Sequence, residues 1–283
     1  MADGVAPPDL SRWSREVVSD GKLAYEVLER GDGPGVILLP EVPGIMPSTI
    51  DLADRLVEHG FTVVMPSLFG VPGRRPGTLG QLATVARLCV MREFRAFSLD
   101  LSGPVTDFLR LVAADLAGRT SGRGVGIVGM CFTGGFAIAT AVATDDIVAS
   151  VVSQPAAPFP VSPARMRSAG VPAAALERYA ASRQDQPPCV LGLRFSRDLK
   201  SPDARLTTLK QHLGRAVRVV RIPSGRDTTD GTPGGAHSVL TRDVREEPPN
   251  GAFTEREHVF EFLRDRLSPA AASGGSDAGA GGA

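Results

Sequence analysis

One stretch, Gly124-Val-Gly-Ile-Val-Gly-Met-Cys-Phe-Thr-Gly-Gly135, constrains the rest of the chain. Its short apolar run stops at small residues around one cysteine, Cys131, and resumes as Phe136-Ala-Ile-Ala-Thr-Ala-Val-Ala143. The pattern predicts a strand, a tight turn and a helix. A residue at the apex of such a turn is conformationally strained, and glycines two before it and two or three after it let neighbouring segments approach. Gly129, Gly134 and Gly135 meet most of that need, although the usual spacing would put a glycine at Thr133. A thiol at the apex faces the end of the sheet, and the first amides of the next helix point at whatever binds there. Cys131 is therefore the candidate nucleophile.

Two other readings compete. Gly124-x-Gly126-x-x-Gly129 also spells a dinucleotide fingerprint, but that motif must follow a strand and open a helix, whereas here it brackets the apolar residues of the strand itself. No acidic residue ending a second strand stands about 20 residues further on. The other reading is a buried structural thiol, the ordinary state of a free cysteine. Only the rest of the chain decides between that and a nucleophile.

The chain has 283 residues, a length that α/β folds reach undivided. Its formal net charge is zero, which argues against nucleic acid or an anionic membrane as the main partner. Cys89, Cys131 and Cys189 are too far apart for metal or redox spacing, and an odd number does not suit a disulfide scaffold. A reduced, cytoplasmic thiol is the expectation. The N-terminus has neither the basic head nor the apolar core of a secretion signal, and no run reaches the roughly 18 apolar residues of a membrane span.

Along the chain, Arg15–Val18 and Lys22–Glu29 flank an Asp-Gly turn and predict a β-hairpin after an N-terminal extension of residues 1–14. Val36–Leu39 reads as a strand buried on both faces, Thr49–His59 as a helix and Phe61–Met65 as a strand. Residues 67–98 predict a long loop with some helix. Val105–Leu116 is an amphipathic helix leading to the cysteine strand, and Ile147–Val152 a strand. Residues 155–188 form a second irregular excursion with a helix around Ala173–Ala181. Then come a strand at Cys189–Phe195, a helix at Asp203–Leu213, a strand at Val217–Ile222 and a closing helix at Glu255–Leu267. Residues 268–283, mostly alanine, glycine and serine, predict a disordered tail. Alternating strands and helices predict a mostly parallel sheet covered on both faces, over one domain at residues 15–267. Ligands of such sheets bind beyond the carboxyl ends of the strands.

A cysteine nucleophile needs a base, and the chain order nucleophile, acid, histidine is that of an α/β-hydrolase. Of four histidines, His59, His212 and His258 fall in helices, and only His237 lies in a loop after the last strand. The acid belongs after the preceding strand, where Asp198 stands in Ser196-Arg-Asp198. Asp203, directly after Pro202, is the rival and reads as a helix-start residue. The acid would hold the imidazole tautomer and stabilise the imidazolium.

At this point the chain resembles the dienelactone hydrolases, a cysteine-nucleophile branch of the α/β-hydrolases, over about residues 36–267. The resemblance rests on Leu39-Pro-Glu-Val-Pro-Gly44, Gly129-Met-Cys-Phe-Thr-Gly-Gly135, Asp198 with Pro202, and Gly235-Ala-His-Ser238. It implies a Cys131, His237, Asp198 triad. It also implies that Glu41 contacts the resting thiol and is displaced by substrate, and that the amides of Phe132 and Val42 form an oxyanion hole. Family members bind a substrate carboxylate with two arginines. Here Arg242 stands one position later than that pattern, and Arg92 is taken for the other, with Arg87 and Arg95 as competitors.

The expected reaction is hydrolysis of a small lactone or ester through an acyl-cysteine intermediate, with no metal or organic cofactor. Two alternatives stay open. The long loops suit a thioesterase or cyclising enzyme acting on a larger acyl chain, and the fold also suits a non-catalytic binding module. The sequence leaves the oligomeric state undetermined.

Overall fold

The computed structural model describes residues 9–74, 103–246 and 250–268. Eight strands form one sheet in the order β1-β2-β4-β3-β5-β6-β7-β8. The hairpin strands β1 (Ser14–Ser19) and β2 (Ala24–Arg30) are antiparallel to one another, and β2 is antiparallel to β4 (Thr62–Pro66). From β4 onward every pairing is parallel: β3 (Gly35–Leu39), β5 (Val125–Met130), β6 (Ile147–Ser153), β7 (Val190–Phe195) and β8 (Val217–Ile222).

Period-2 alternation sends the sheet's side chains to two cores. Ile37 and Leu39 face one, and Val36 and Leu38 face the other. On the first face pack α2 (Pro104–Arg119), α3 (Gly134–Ala143), α5 (Ala173–Ala181) and α6 (Asp203–Leu213), through Phe108, Phe136, Leu176 and Leu206 among others. On the second pack α1 (Pro47–Glu58) and α7 (Gly251–Leu267), through Leu56 and Phe260. A short helix α4 (Pro163–Arg167) lies in the excursion between β6 and α5.

The elements match the sequence reading with small boundary changes. The closing helix starts at Gly251 rather than Glu255, because the Asn250 side chain caps it by accepting the Phe253 amide at 3.0 Å. The first and last parts of the chain and most of the expected 67–98 loop lie outside the described residues, as do Cys89, Arg87, Arg92 and Arg95. Among the described residues no helix is long and apolar enough to cross a membrane.

The chain leaves β3 toward β4 on one side and returns to β5 on the other. The sheet's switch point is therefore between β3 and β5, where Leu39 pairs with Gly129. Crevices for ligands form at the carboxyl ends of strands at such a point. Glu41 follows one of these two strands, and Cys131 follows the other.

Candidate active site

Cys131 opens a single 3-10 turn between β5 and α3, with φ at 55°. That value lies in the left-handed region, which costs a residue bearing a Cβ. The turn is closed by packing that only glycine permits. A Cβ on Gly129 would come within 2.4 Å of the Thr133 carbonyl oxygen, and one on Gly134 within 3.1 Å of Pro155. Thr133, the apparent mismatch, holds the turn by its hydroxyl. The Met130 amide donates to Thr133 Oγ1 at 3.0 Å, and Oγ1 stands 2.9 Å from the Met130 carbonyl and 3.1 Å from that of Pro40. The side chain thus ties the turn to the loop after β3. Gly126 and Gly129 of the dinucleotide fingerprint lie within β5 itself, so that motif has no turn on which to cradle a phosphate.

The loop after β8 brings His237 to this turn. The Asp243 carboxylate fixes its backbone, accepting the amides of His237 at 2.8 Å and Ser238 at 2.7 Å. On the ring, Nδ1 donates to Asp198 Oδ2 at 2.6 Å, with both side chains buried. Asp198 Oδ1 accepts the amides of Lys200 at 2.9 Å and Ser201 at 3.3 Å. Its loop is clamped by Arg194, a buried residue of β7 that donates to the carbonyls of Ser201 and Asp198, each at 2.8 Å. Asp203 is turned elsewhere, paired with Arg221 and Arg194.

Burial of the His237 ring works against its charge. The hydrogen bond to Asp198 and the adjacent Cys131 sulfur outweigh it and raise the His237 pKa to about 9. His237 Nε2 is buried and, among the described residues, meets no hydrogen-bond partner of good geometry, while the Cys131 side chain lies close enough to favour the charged ring. Resting enzymes often hold catalytic partners this way before substrate tightens them.

Glu41 is buried at the same end of the sheet. Gln154 Nε2 donates to its Oε1 at 2.9 Å, Thr241 Oγ1 to Oε1 at 2.8 Å and Ser238 Oγ to Oε2 at 2.8 Å. Arg242 reaches Oε2 at 3.5 Å and donates to Ser238 Oγ at 3.0 Å. The expected contact between Glu41 and the Cys131 thiol is not among these bonds. Glu41 instead joins the loop after β3 to the loop that carries His237. Val42 follows it directly, and Phe132 follows Cys131, so both expected oxyanion amides start from this junction. Gln154, at the end of β6, is completely buried with φ at 32°, a second strained residue in the site.

His212 and His258 are in helices and His59 caps the end of α1, each beside a glutamate: Glu177, Glu255 and Glu257 respectively. Cys189 is completely buried, its thiol 3.7 Å from the Ala216 carbonyl. Of the residues the sequence singles out, Cys131, His237, Asp198, Glu41, Phe132, Val42 and Arg242 come together at one end of the sheet. Arg194, Gln154, Ser238, Thr241 and Asp243 complete that site and carry no local sequence signal except one. An arginine inside a strand that is otherwise wholly apolar must have buried partners.

A doubly covered, mostly parallel sheet with a strained turn at its switch point and an acid-paired histidine opposite is an α/β-hydrolase fold, and the protein is a hydrolase. The model of the dienelactone hydrolase family matches residues 23–174, more than half the chain, and the chain belongs to that family. The match spans Glu41 and Cys131 and ends before Asp198 and His237.

Solved structures agree on the fold. A Klebsiella pneumoniae subsp. pneumoniae protein assigned as a dienelactone hydrolase shares 18% identity at a TM-score of 0.59, covering 89% of this chain and 97% of its own. The dienelactone hydrolase-like promiscuous phosphotriesterase P91 from metagenomic libraries shares 14% at 0.58, covering 90% and 98%. Est1E from Butyrivibrio proteoclasticus shares 13% at 0.52, covering 89% and 98%. No curated protein sequence matches the chain.

Proposed function

We propose that this hydrolase cleaves a lactone or ester by covalent acyl transfer to Cys131. The observation that carries the reading is a cysteine on a strained turn facing a buried histidine whose far nitrogen is held by Asp198 at 2.6 Å. The Cys131 thiolate attacks the carbonyl carbon, and the amides of Phe132 and Val42 hold the oxyanion. The His237 imidazolium gives its Nε2 proton to the leaving oxygen as the carbon–oxygen bond breaks, leaving a thioester on Cys131. His237 then takes a proton from water, which attacks the thioester and releases the acid and the thiolate. Asp198 keeps the Nδ1 proton in place and offsets the imidazolium charge throughout. No step requires a metal or organic cofactor.

Glu41 acts from behind. Its carboxylate accepts two hydroxyls from the loop bearing His237, so it sets the distance between the base and the oxyanion amide of Val42. The test is a panel of a dienelactone carboxylate, an aryl ester and an acyl thioester, with wild type and Cys131→Ala compared. Wild-type turnover lost in Cys131→Ala, but kept when the buried Cys189 becomes alanine, is the expected result. Equal turnover by wild type and Cys131→Ala would overturn the nucleophile.

A further inference from the structure

Arg205 is an anomaly. Its side chain is completely buried in α6, and among the described residues its guanidinium meets no carboxylate. It donates instead to four backbone carbonyls of one excursion: Pro155 at 2.6 Å, Ser168 at 2.7 Å, Arg165 at 2.9 Å, and Pro158. Burial lowers its pKa to about 10, so the group remains a cation at neutral pH. A buried charge met by carbonyls alone is costly, and here it serves to hold residues 155–168 in one shape. A second tie comes from the nucleophile turn, where the Ala156 amide donates to the Cys131 carbonyl at 2.9 Å.

What the held segment presents is apolar. Phe159 lies with its ring centroid 6.0 Å from that of Phe132, the residue next to Cys131, and Phe69 packs on Phe132 at 6.4 Å. Other large apolar side chains of loops at this end of the sheet are exposed to solvent. Val161 is 76% exposed, Met166 40%, Val71 60% and Leu199 89%. They come from the loops after β6, β4 and β7, which all open at the same end of the sheet as Cys131. The part of this surface that touches the nucleophile turn is Phe159 on Phe132, and the exposed Val161 and Met166 belong to the same held segment. Arg242, the described arginine expected to receive a substrate carboxylate, is already turned onto Ser238 and Glu41.

We infer that the Arg205-held excursion is an acyl-binding wall, and that the substrates are esters with an uncharged apolar acyl group long enough to reach Phe159 and Met166. This rests on the reading of Cys131 as the acylated residue. The apolar chain runs from the oxyanion amides across Phe132 and Phe159 to the rim. Each methylene that leaves water there favours the transition state by about fourfold. The two arginines of α4, Arg165 and Arg167, are exposed on either side of Met166 in sequence, and a carboxylate at the end of the acyl chain is the group they would reward if the inference is wrong.

The experiment measures kcat/KM for p-nitrophenyl acetate, butyrate and octanoate, and for the glutarate monoester as the carboxylated match of the medium chain. Wild type, Cys131→Ala, Phe159→Ala, Phe159→Leu and Met166→Ser are compared. The expected result is a rise of at least tenfold from acetate to octanoate. The ratio of octanoate to acetate should fall severalfold in Phe159→Ala and Met166→Ser and largely recover in Phe159→Leu, which keeps the volume near that of an apolar wall. A flat series in wild type, an unchanged ratio in Phe159→Ala, or a glutarate ester turned over faster than the neutral butyrate would overturn the apolar wall while leaving Cys131-dependent hydrolysis standing. Rates retained in Cys131→Ala, or turnover of none of the esters, would overturn both readings.

Discussion

Replacing Asp198 with asparagine separates the charge of the site from its shape. Asparagine is nearly isosteric, and its carbonyl oxygen can take the place of Oδ1, which accepts the Lys200 and Ser201 amides at 2.9 and 3.3 Å. The side-chain NH2 then occupies the position of Oδ2, 2.6 Å from His237 Nδ1. Two donors cannot face each other at that distance, so the ring must turn Nδ1 into an acceptor and carry its proton on Nε2. The nitrogen facing Cys131 then has no lone pair for the thiol proton. In serine hydrolases the equivalent change lowers kcat by about 10^4 through this same wrong tautomer. A loss on the order of 10^3 to 10^4 is expected here, about 4–5.5 kcal/mol of barrier. The His237 pKa should also fall from its raised value, because its largest favourable partner is gone. Ester kcat/KM and a nitrogen-15 titration of the His237 ring read the two effects. A kcat/KM within tenfold of wild type, or a His237 pKa that does not fall, would refute the reasoning.

Further outcomes follow from the same contacts. With the His237 pKa raised to about 9, ester turnover should decline as pH rises through about 9, where the imidazolium that protonates the leaving oxygen is lost; a pH profile of kcat/KM shows it. The same sign holds for folding: the stabilisation from this histidine is fully present below 6.5 and disappears as pH rises through about 9, which urea melts across that window report. Arg205→Leu leaves four carbonyls without their donor and should destabilise by about 2–5 kcal/mol, with faster proteolysis between residues 155 and 168. Arg205→Lys should recover only part, since one ammonium cannot reproduce the guanidinium fork. Glu41→Gln turns one acceptor into a donor facing hydroxyl and amide donors, and should cost about 2–4 kcal/mol in denaturant melts together with a fall in kcat.

The fold was legible because its core strands are short apolar runs and its helices keep 3.6-residue spacing between clear stops. Cys131, Asp198 and His237 were legible for a related reason. Each follows a strand in a loop, where the sheet's geometry brings chemistry together whatever the sequence separation. Arg205 was not, because a charged residue in a helix is by default solvent-facing, and its four partners are carbonyls that leave no trace in residue type. A signal was present nonetheless: Arg205, Leu209 and Leu213 fall four apart on the buried stripe of α6. Glu41 is legible by resemblance, but its partners Gln154, Ser238 and Thr241 converge from two loops and depend on tertiary packing. The loose glycine spacing at Thr133 has its reason in a hydroxyl that bridges to the Pro40 carbonyl, a contact 93 residues distant in sequence.

The measurement that most directly tests the account is rapid acid quench of the enzyme during turnover of an activated ester, followed by peptide mass mapping. The account requires the acyl mass on the peptide containing Cys131, removable by hydroxylamine and accumulating in His237→Ala if deacylation needs the histidine more than acylation of an activated ester does. An acyl group on another residue, or substrate turnover with no covalent species at any quench time in either protein, would contradict it.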